Sequence, residues 1–139
     1  MKSTPSAFVD TNILVYAAEE KTPVARKTVI ARELLLLPRL FLSVQVLNEF
    51  VVTARNPGKL GLSREKEDEW LNEWLHIPVT TLTKASFFSA LEIHHRHGIS
   101  HWDSLIVASA LEAGCETIYS EDLSHGQDYG GVKVINPFR

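Results

Sequence analysis

The sequence predicts an α/β fold, a mostly parallel central sheet covered by helices on both faces as a three-layer α/β/α sandwich. Three observations predict it. Short apolar runs at Ala7-Phe8-Val9, Leu40-Phe41-Leu42, Thr117-Ile118-Tyr119 and Val132-Lys133-Val134-Ile135 have the length and character of buried strands. Longer segments of helical periodicity separate the first three of them. The boundaries carry helix punctuation, with Ser or Thr ahead of the helices and Gly or Pro behind them. At 139 residues and 15.6 kDa the chain reads as one domain over 1–139, large enough to bury about two-thirds of its unfolded-chain surface.

Taken in order, the first strand leads through Asp10 and Thr11 into a helix begun by Asn12. Thr22-Pro23 supplies a cap and a first-turn proline for a helix running to Leu37, with Ala25, Val29, Leu35 and Leu36 at helical spacing and Pro38 ending it. After the strand at Leu40-Phe41-Leu42, Ser43 caps a helix from Val44 to about Arg55, and Asn56-Pro57-Gly58 turns the chain. Ser63 begins a charged helix whose pairs Trp70/Trp74 and Leu71/Leu75 form an apolar face up to Pro78. Val79-Thr80-Thr81 is a weak strand. Thr83 to about His97 and Trp102 to Ala113 are helical, and end at Gly98 and Gly114. The last two strands follow. No GxGxxG or Walker pattern occurs, so the fold carries no phosphate loop.

Composition narrows the class. A net charge of −3 argues against a sequence-independent coat for nucleic acid. The lone Cys115 cannot form an internal disulfide. The apolar run from Ala7 to Ala18 is broken by Asp10 and Asn12, so it is neither a secretory leader core nor a membrane span. A soluble, reduced, cytoplasmic chain is expected.

Four acids stand out. Asp10 ends the first strand, where it either caps the following helix or lies at the carboxyl end of a parallel sheet, the place open α/β sheets put their chemistry. On a helical wheel Val44, Val46, Leu47, Phe50, Val51 and Ala54 share one face, with Glu49 half-buried at its margin. Asp103 falls between Val107 and Ala110 on an apolar face, where an unpaired carboxylate costs several kcal/mol. Two arrangements offset that cost: a Ser100/Asp103 capping box, or a divalent cation shared with other acids. Ser120-Glu121-Asp122 leaves another strand, and parallel strands share a carboxyl end, which places Asp122 on the side of Asp10. Oxygen ligands without Cys or a His pair suit Mg²⁺ or Mn²⁺ rather than zinc.

With these positions in hand, the chain resembles the PIN-domain ribonucleases, and within them the VapC-like toxins of toxin–antitoxin pairs. The resemblance rests on Val9-Asp10-Thr11-Asn12, on Ser43 with Glu49 six residues later, on Trp102-Asp103 opening a helix, and on Ser120-Glu121-Asp122. It covers nearly the whole chain, with one departure: many relatives carry an aromatic residue where His125 stands. It implies that Asp10, Glu49, Asp103 and Asp122 form an acidic quartet around Mg²⁺ or Mn²⁺, with Asn12 and Ser120 as polar supports and Glu121 a possible partner of Asp122. It also implies RNA as substrate, a homodimer and an antitoxin that occludes the site. Arg96 and His101, in the run His94-His95-Arg96-His97 and beside Trp102, are candidates for contacting RNA, or else a solvated helix end. Two other classes stay open: a Mg²⁺-dependent phosphotransfer domain of the receiver or haloacid-dehalogenase type, and a non-catalytic module using the Trp70/Trp74 helix as a partner surface.

Overall fold

The computed structural model describes residues 4–139, so residues 1–3 of the expected domain lie outside the described residues. The elements run β1 (Ala7–Val9), α1 (Thr11–Ala17), α2 (Arg26–Leu34), β2 (Leu40–Ser43), α3 (Val44–Arg55), α4 (Arg64–Glu73), β3 (Val79–Thr80), α5 (Lys84–His97), α6 (His101–Glu112), β4 (Thr117–Tyr119), β5 (Asp128–Tyr129) and β6 (Val132–Ile135). They build a six-stranded sheet in the order β3-β2-β1-β4-β6-β5, parallel except for β5. Helices α1, α2 and α3 pack together, α5 packs on α6, and α6 lies against β2, β4 and β6. The result is the three-layer α/β/α sandwich that the alternating pattern predicts.

The strand order places the site. From β1 the chain winds outward through β2 to β3, then returns to the other side of β1 with β4. Strand order therefore reverses between β1 and β4, and the crevice at such a reversal, beyond the carboxyl ends of the strands, is where open α/β sheets take ligands. Val9 pairs with Tyr119, so Asp10 and Ser120 leave neighbouring strands side by side. Beneath them the core closes on Phe8, Val9, Leu14, Phe50, Ile106 and Ile118, none more than 2% exposed.

Local chemistry explains most boundaries. Ser43, Ser63, Thr83 and Ser100 cap α3, α4, α5 and α6 by accepting from backbone amides two or three residues into each helix. Gly98 ends α5 at φ 69°, a left-handed position that glycine takes without a Cβ penalty.

Several expectations are corrected. Thr22-Pro23 does not cap α2: the Ala25 amide bonds back to the Thr22 carbonyl as a turn, and the helix starts at Arg26 behind Ala25, with no side-chain cap. It also stops at Leu34 rather than Leu37. Leu36 and Leu37 tighten into three-residue turns, since the residue before Pro38 is disfavoured in helical conformation. The first helix starts at Thr11 rather than Asn12, and Asp10 caps it, as one of its two readings has it. Helix α4 ends at Glu73. Trp74 is buried against Phe50, and stacked on Trp70 at 5.6 Å, while Leu75 is exposed. Val44, the first residue of α3, is exposed too. The antiparallel β5, two residues before the Gly130-Gly131 turn, was not expected at all.

Among the described residues no helix is long and apolar enough to cross a membrane. Cys115 is free and buried, and burial pushes its thiol up to about 11, which leaves it unreactive at neutral pH.

Candidate functional site

The crevice between β1 and β4 gathers polar side chains from four parts of the chain. Asp10 is 4% exposed. One carboxylate oxygen accepts from the Thr11 amide at 2.7 Å and the other from the Ser120 hydroxyl at 2.7 Å. Capping and site-building are thus the same act here, because the carboxylate that caps α1 also reaches β4. The Ser120 hydroxyl in turn accepts from the Asp122 and Leu123 amides, at 3.1 and 3.2 Å, and so folds the turn after β4 around Asp10.

Thr11 and Asn12, the first two residues of α1, tie down the other acids. The Thr11 hydroxyl donates to Glu49 at 2.8 Å. The Asn12 amide nitrogen donates to Asp122 at 3.2 Å, and its oxygen accepts from the Glu121 amide at 3.2 Å. Glu49 is half-buried, as its place on the α3 wheel predicts, and Asp122 is exposed. Asp103 is half-buried in the first turn of α6, and its amide donates to the capping Ser100 at 3.1 Å.

Electrostatics couples these acids. Burial pushes the Asp10 carboxyl up to about 6; the bonds from Ser120 and Thr11 oppose this, and the charges of Asp122 and Glu49 add to it. Asp103 is likewise raised, by burial first and then by Asp122 and Glu49, against its bond with Ser100. Among the described residues no cationic side chain offsets either shift. The carboxylates share one end of the sheet without closing on a point: among the described residues no three His, Cys, Asp or Glu side chains are grouped tightly enough to hold a metal ion. The donor set itself, hard carboxylate oxygens with an amide and hydroxyls around them, fits Mg²⁺ or Mn²⁺.

Glu121 faces away from this group. It accepts from the Tyr16 hydroxyl at 2.6 Å and forms an ion pair with Lys27. Burial alone would raise its carboxyl, yet the bonds from Lys27 and Tyr16 hold it below the usual range. Arg96 is exposed in the last turn of α5, and among the described residues it forms no ion pair. His101 opens α6, edge-on to Phe87 and Trp102. His125 accepts from the Asn136 amide at 3.0 Å, so the loop after Asp122 is held to the C-terminal segment by a hydrogen bond. A cleft of about 1060 Å³ opens from Asn12, Glu49 and Asp122 along α1 past Tyr16 and Lys27.

Sequence reasoning missed Gln45. Its side chain is buried, and its amide nitrogen donates both to Glu49 at 3.0 Å and to the Trp102 carbonyl at 3.2 Å, bracing α3 against the start of α6. Both partners are acceptors, which fixes the amide orientation; its oxygen is left buried without a partner. The available signal was its position four residues before Glu49, one turn away on the same helix face. Replacing Gln45 with Leu should cost about 1–2 kcal/mol in urea unfolding, because the bonds that brace α3 and Glu49 against the start of α6 are lost.

Comparisons with known proteins bear on the fold and the family. No curated protein sequence gives a significant match. Among solved structures of similar fold is a sarcin–ricin loop cleaving VapC toxin of Mycobacterium tuberculosis, with a TM-score of 0.65 and 22% identity, covering 84% of this chain and 90% of that one. A toxin–antitoxin complex from Klebsiella pneumoniae gives 0.70 at 17% identity, covering 95% and 98%. A VapBC complex of Rickettsia felis, bound to a DNA fragment from its promoter, gives 0.64 at 18%, covering 92% and 96%. The PIN domain model matches residues 7–126, nearly the whole span from β1 to the turn before β5. The chain therefore belongs to the PIN-domain family.

Proposed function

We propose that the protein is a metal-dependent endoribonuclease, the toxin of a toxin–antitoxin pair, that hydrolyses phosphodiester bonds in single-stranded or loop regions of RNA. The observation that carries this reading is the crevice at the strand-order reversal, where acids from β1, α3, α6 and the turn after β4 bear on one another with no cation among them. Family membership supports nuclease chemistry over the phosphotransfer alternative. The similar folds of toxins and toxin–antitoxin complexes support a protein antitoxin as partner, and a homodimer is part of the same proposal. Such a toxin acts in the cytoplasm, where its RNA is.

Asp10, Glu49, Asp103 and Asp122 would hold Mg²⁺ or Mn²⁺. The bound ion supplies positive charge against the scissile phosphate and makes a water more acidic. The protein's own groups do the rest. Ser120 and the Thr11 amide fix the direction of Asp10; Thr11 and Gln45 fix Glu49; Asn12 fixes Asp122. Arg96, unpaired and exposed, and His101 are retained as contacts for the RNA strand.

An RNA-cleavage assay on the native chain tests the reading. Cleavage should require added Mg²⁺ or Mn²⁺ and stop with chelator; cleavage that persists in excess chelator refutes the metal-dependent mechanism.

A further inference from the structure

We infer that Lys27, acting with Tyr16, is a positioning residue: it draws Glu121 out of the acid group and so presents the adjacent Asp122 to it. The inference rests on the acid-site reading above.

Glu121 and Asp122 are neighbours in one turn, chemically alike, and both within reach of the crevice. Nothing in their identities says which belongs to it. The surroundings decide. Lys27 pairs with one Glu121 oxygen, and the Tyr16 hydroxyl donates to the other at 2.6 Å, so both oxygens of that carboxylate are engaged. Lys27 also donates to the Tyr16 hydroxyl at 3.3 Å, and its ammonium stands 5.2 Å from the Tyr16 ring centre and 5.6 Å from that of Phe138. Phe138 is buried, and meets Tyr16 edge-on at 4.9 Å. The anchor is therefore built from α1, α2 and the C-terminal segment.

The backbone of the turn is held from the opposite side. Asn12 accepts from the Glu121 amide and donates to the Asp122 carboxylate, while Ser120 accepts from the Asp122 and Leu123 amides. With its backbone gripped there and the Glu121 side chain pulled towards α2, the turn directs Asp122 to Asn12 on the side of the acids. Without Lys27, Glu121 keeps only the Tyr16 bond and loses its counter-charge, so it adds a negative charge beside the other acids and competes for the same cation.

Mn²⁺ binding to the full chain by calorimetry, alongside urea unfolding and RNA affinity at several salt concentrations, tests this. Lys27→Met should weaken Mn²⁺ binding about 10- to 100-fold, the usual effect of losing a group that orients a metal ligand. Its urea midpoint should barely move, since the ion pair is partly exposed. Lys27→Arg, which keeps the charge and the donors, should restore most of the affinity. Adding Glu121→Gln to Lys27→Met should recover part of the loss, because the orphaned charge is gone. Mn²⁺ binding by Lys27→Met equal to native overturns the inference while leaving the acid site standing. A loss confined to RNA affinity, with a shallower salt dependence, overturns it in favour of a direct phosphate contact. A native chain that binds no Mn²⁺ refutes the acid-site reading and the positioning role with it.

Discussion

Asp10→Asn should abolish RNA cleavage and, at the same time, make the metal-free protein more stable at neutral pH. The two effects have one cause. Asp10 is almost fully buried, with its carboxyl pushed up to about 6, so at pH 7.5 the native fold carries an ionised group it would hold more cheaply neutral. Against an ordinary aspartate the penalty is at most about 3 kcal/mol. Asparagine removes the charge and keeps the acceptor for the Thr11 amide. It also turns an amide nitrogen towards Ser120, whose hydroxyl now donates to Asp10 and already accepts two backbone bonds, and that mismatch takes back part of the gain. A net stabilisation of about 1–2 kcal/mol in urea with chelator present is expected. Cleavage should fall by at least about a thousandfold in single-turnover assays, because an amide is a poorer ligand than a carboxylate for the cation this acid would hold. Retained activity would remove Asp10 from the chemistry; a large loss of stability would mean its role is structural capping alone.

That coupling of cap and charge was half legible in the sequence. Asp10 at a strand end, Glu49 at the margin of an apolar face and Asp103 in a first turn are local patterns, each readable from a few residues on either side. So were the serine and threonine caps, whose bonds reach two or three residues along the chain. What stayed hidden depends on contacts between distant segments. The Lys27–Glu121 and Tyr16–Glu121 bonds join residues 94 and 105 apart in sequence, and no periodicity marks such partners. On the inference drawn above, they are what sets Glu121 apart from Asp122, the neighbour that the resemblance puts in the quartet. Helix α2 was misplaced for a related reason: Thr22-Pro23 has the composition of a helix start, but the turn to Ala25 satisfies the same backbone groups first. The two-residue β5 exists only by pairing with β6, and alone carries no strand signal.

The metal-free protein should lose stability as the pH rises from about 4 to about 7, and Mg²⁺ or Mn²⁺ should reverse the trend. Asp10 has an ordinary value of 3.8 and a folded value of about 6, so between the two the folded state holds a proton that the unfolded chain has released. Its stabilising contribution is full below the unfolded value and disappears as pH climbs through the folded one. Asp103, raised by burial and by the same neighbours, works in the same direction. Glu121, held below its usual range, works in the opposite direction, but its side chain is partly exposed and its pairing with Lys27 is screened by solvent. The sum is a decline of up to about 3 kcal/mol, set mainly by Asp10. A divalent cation binds the ionised acids, so its stabilisation should grow over the window in which the metal-free protein weakens, reaching about 2.7 kcal/mol at a concentration a hundred times its dissociation constant. Thermal melts from pH 4.5 to 8, with chelator and with Mn²⁺, should therefore diverge as pH rises, and Asp10→Asn should flatten the chelator curve. Curves that stay parallel would mean that the acids neither repel one another strongly nor share an ion.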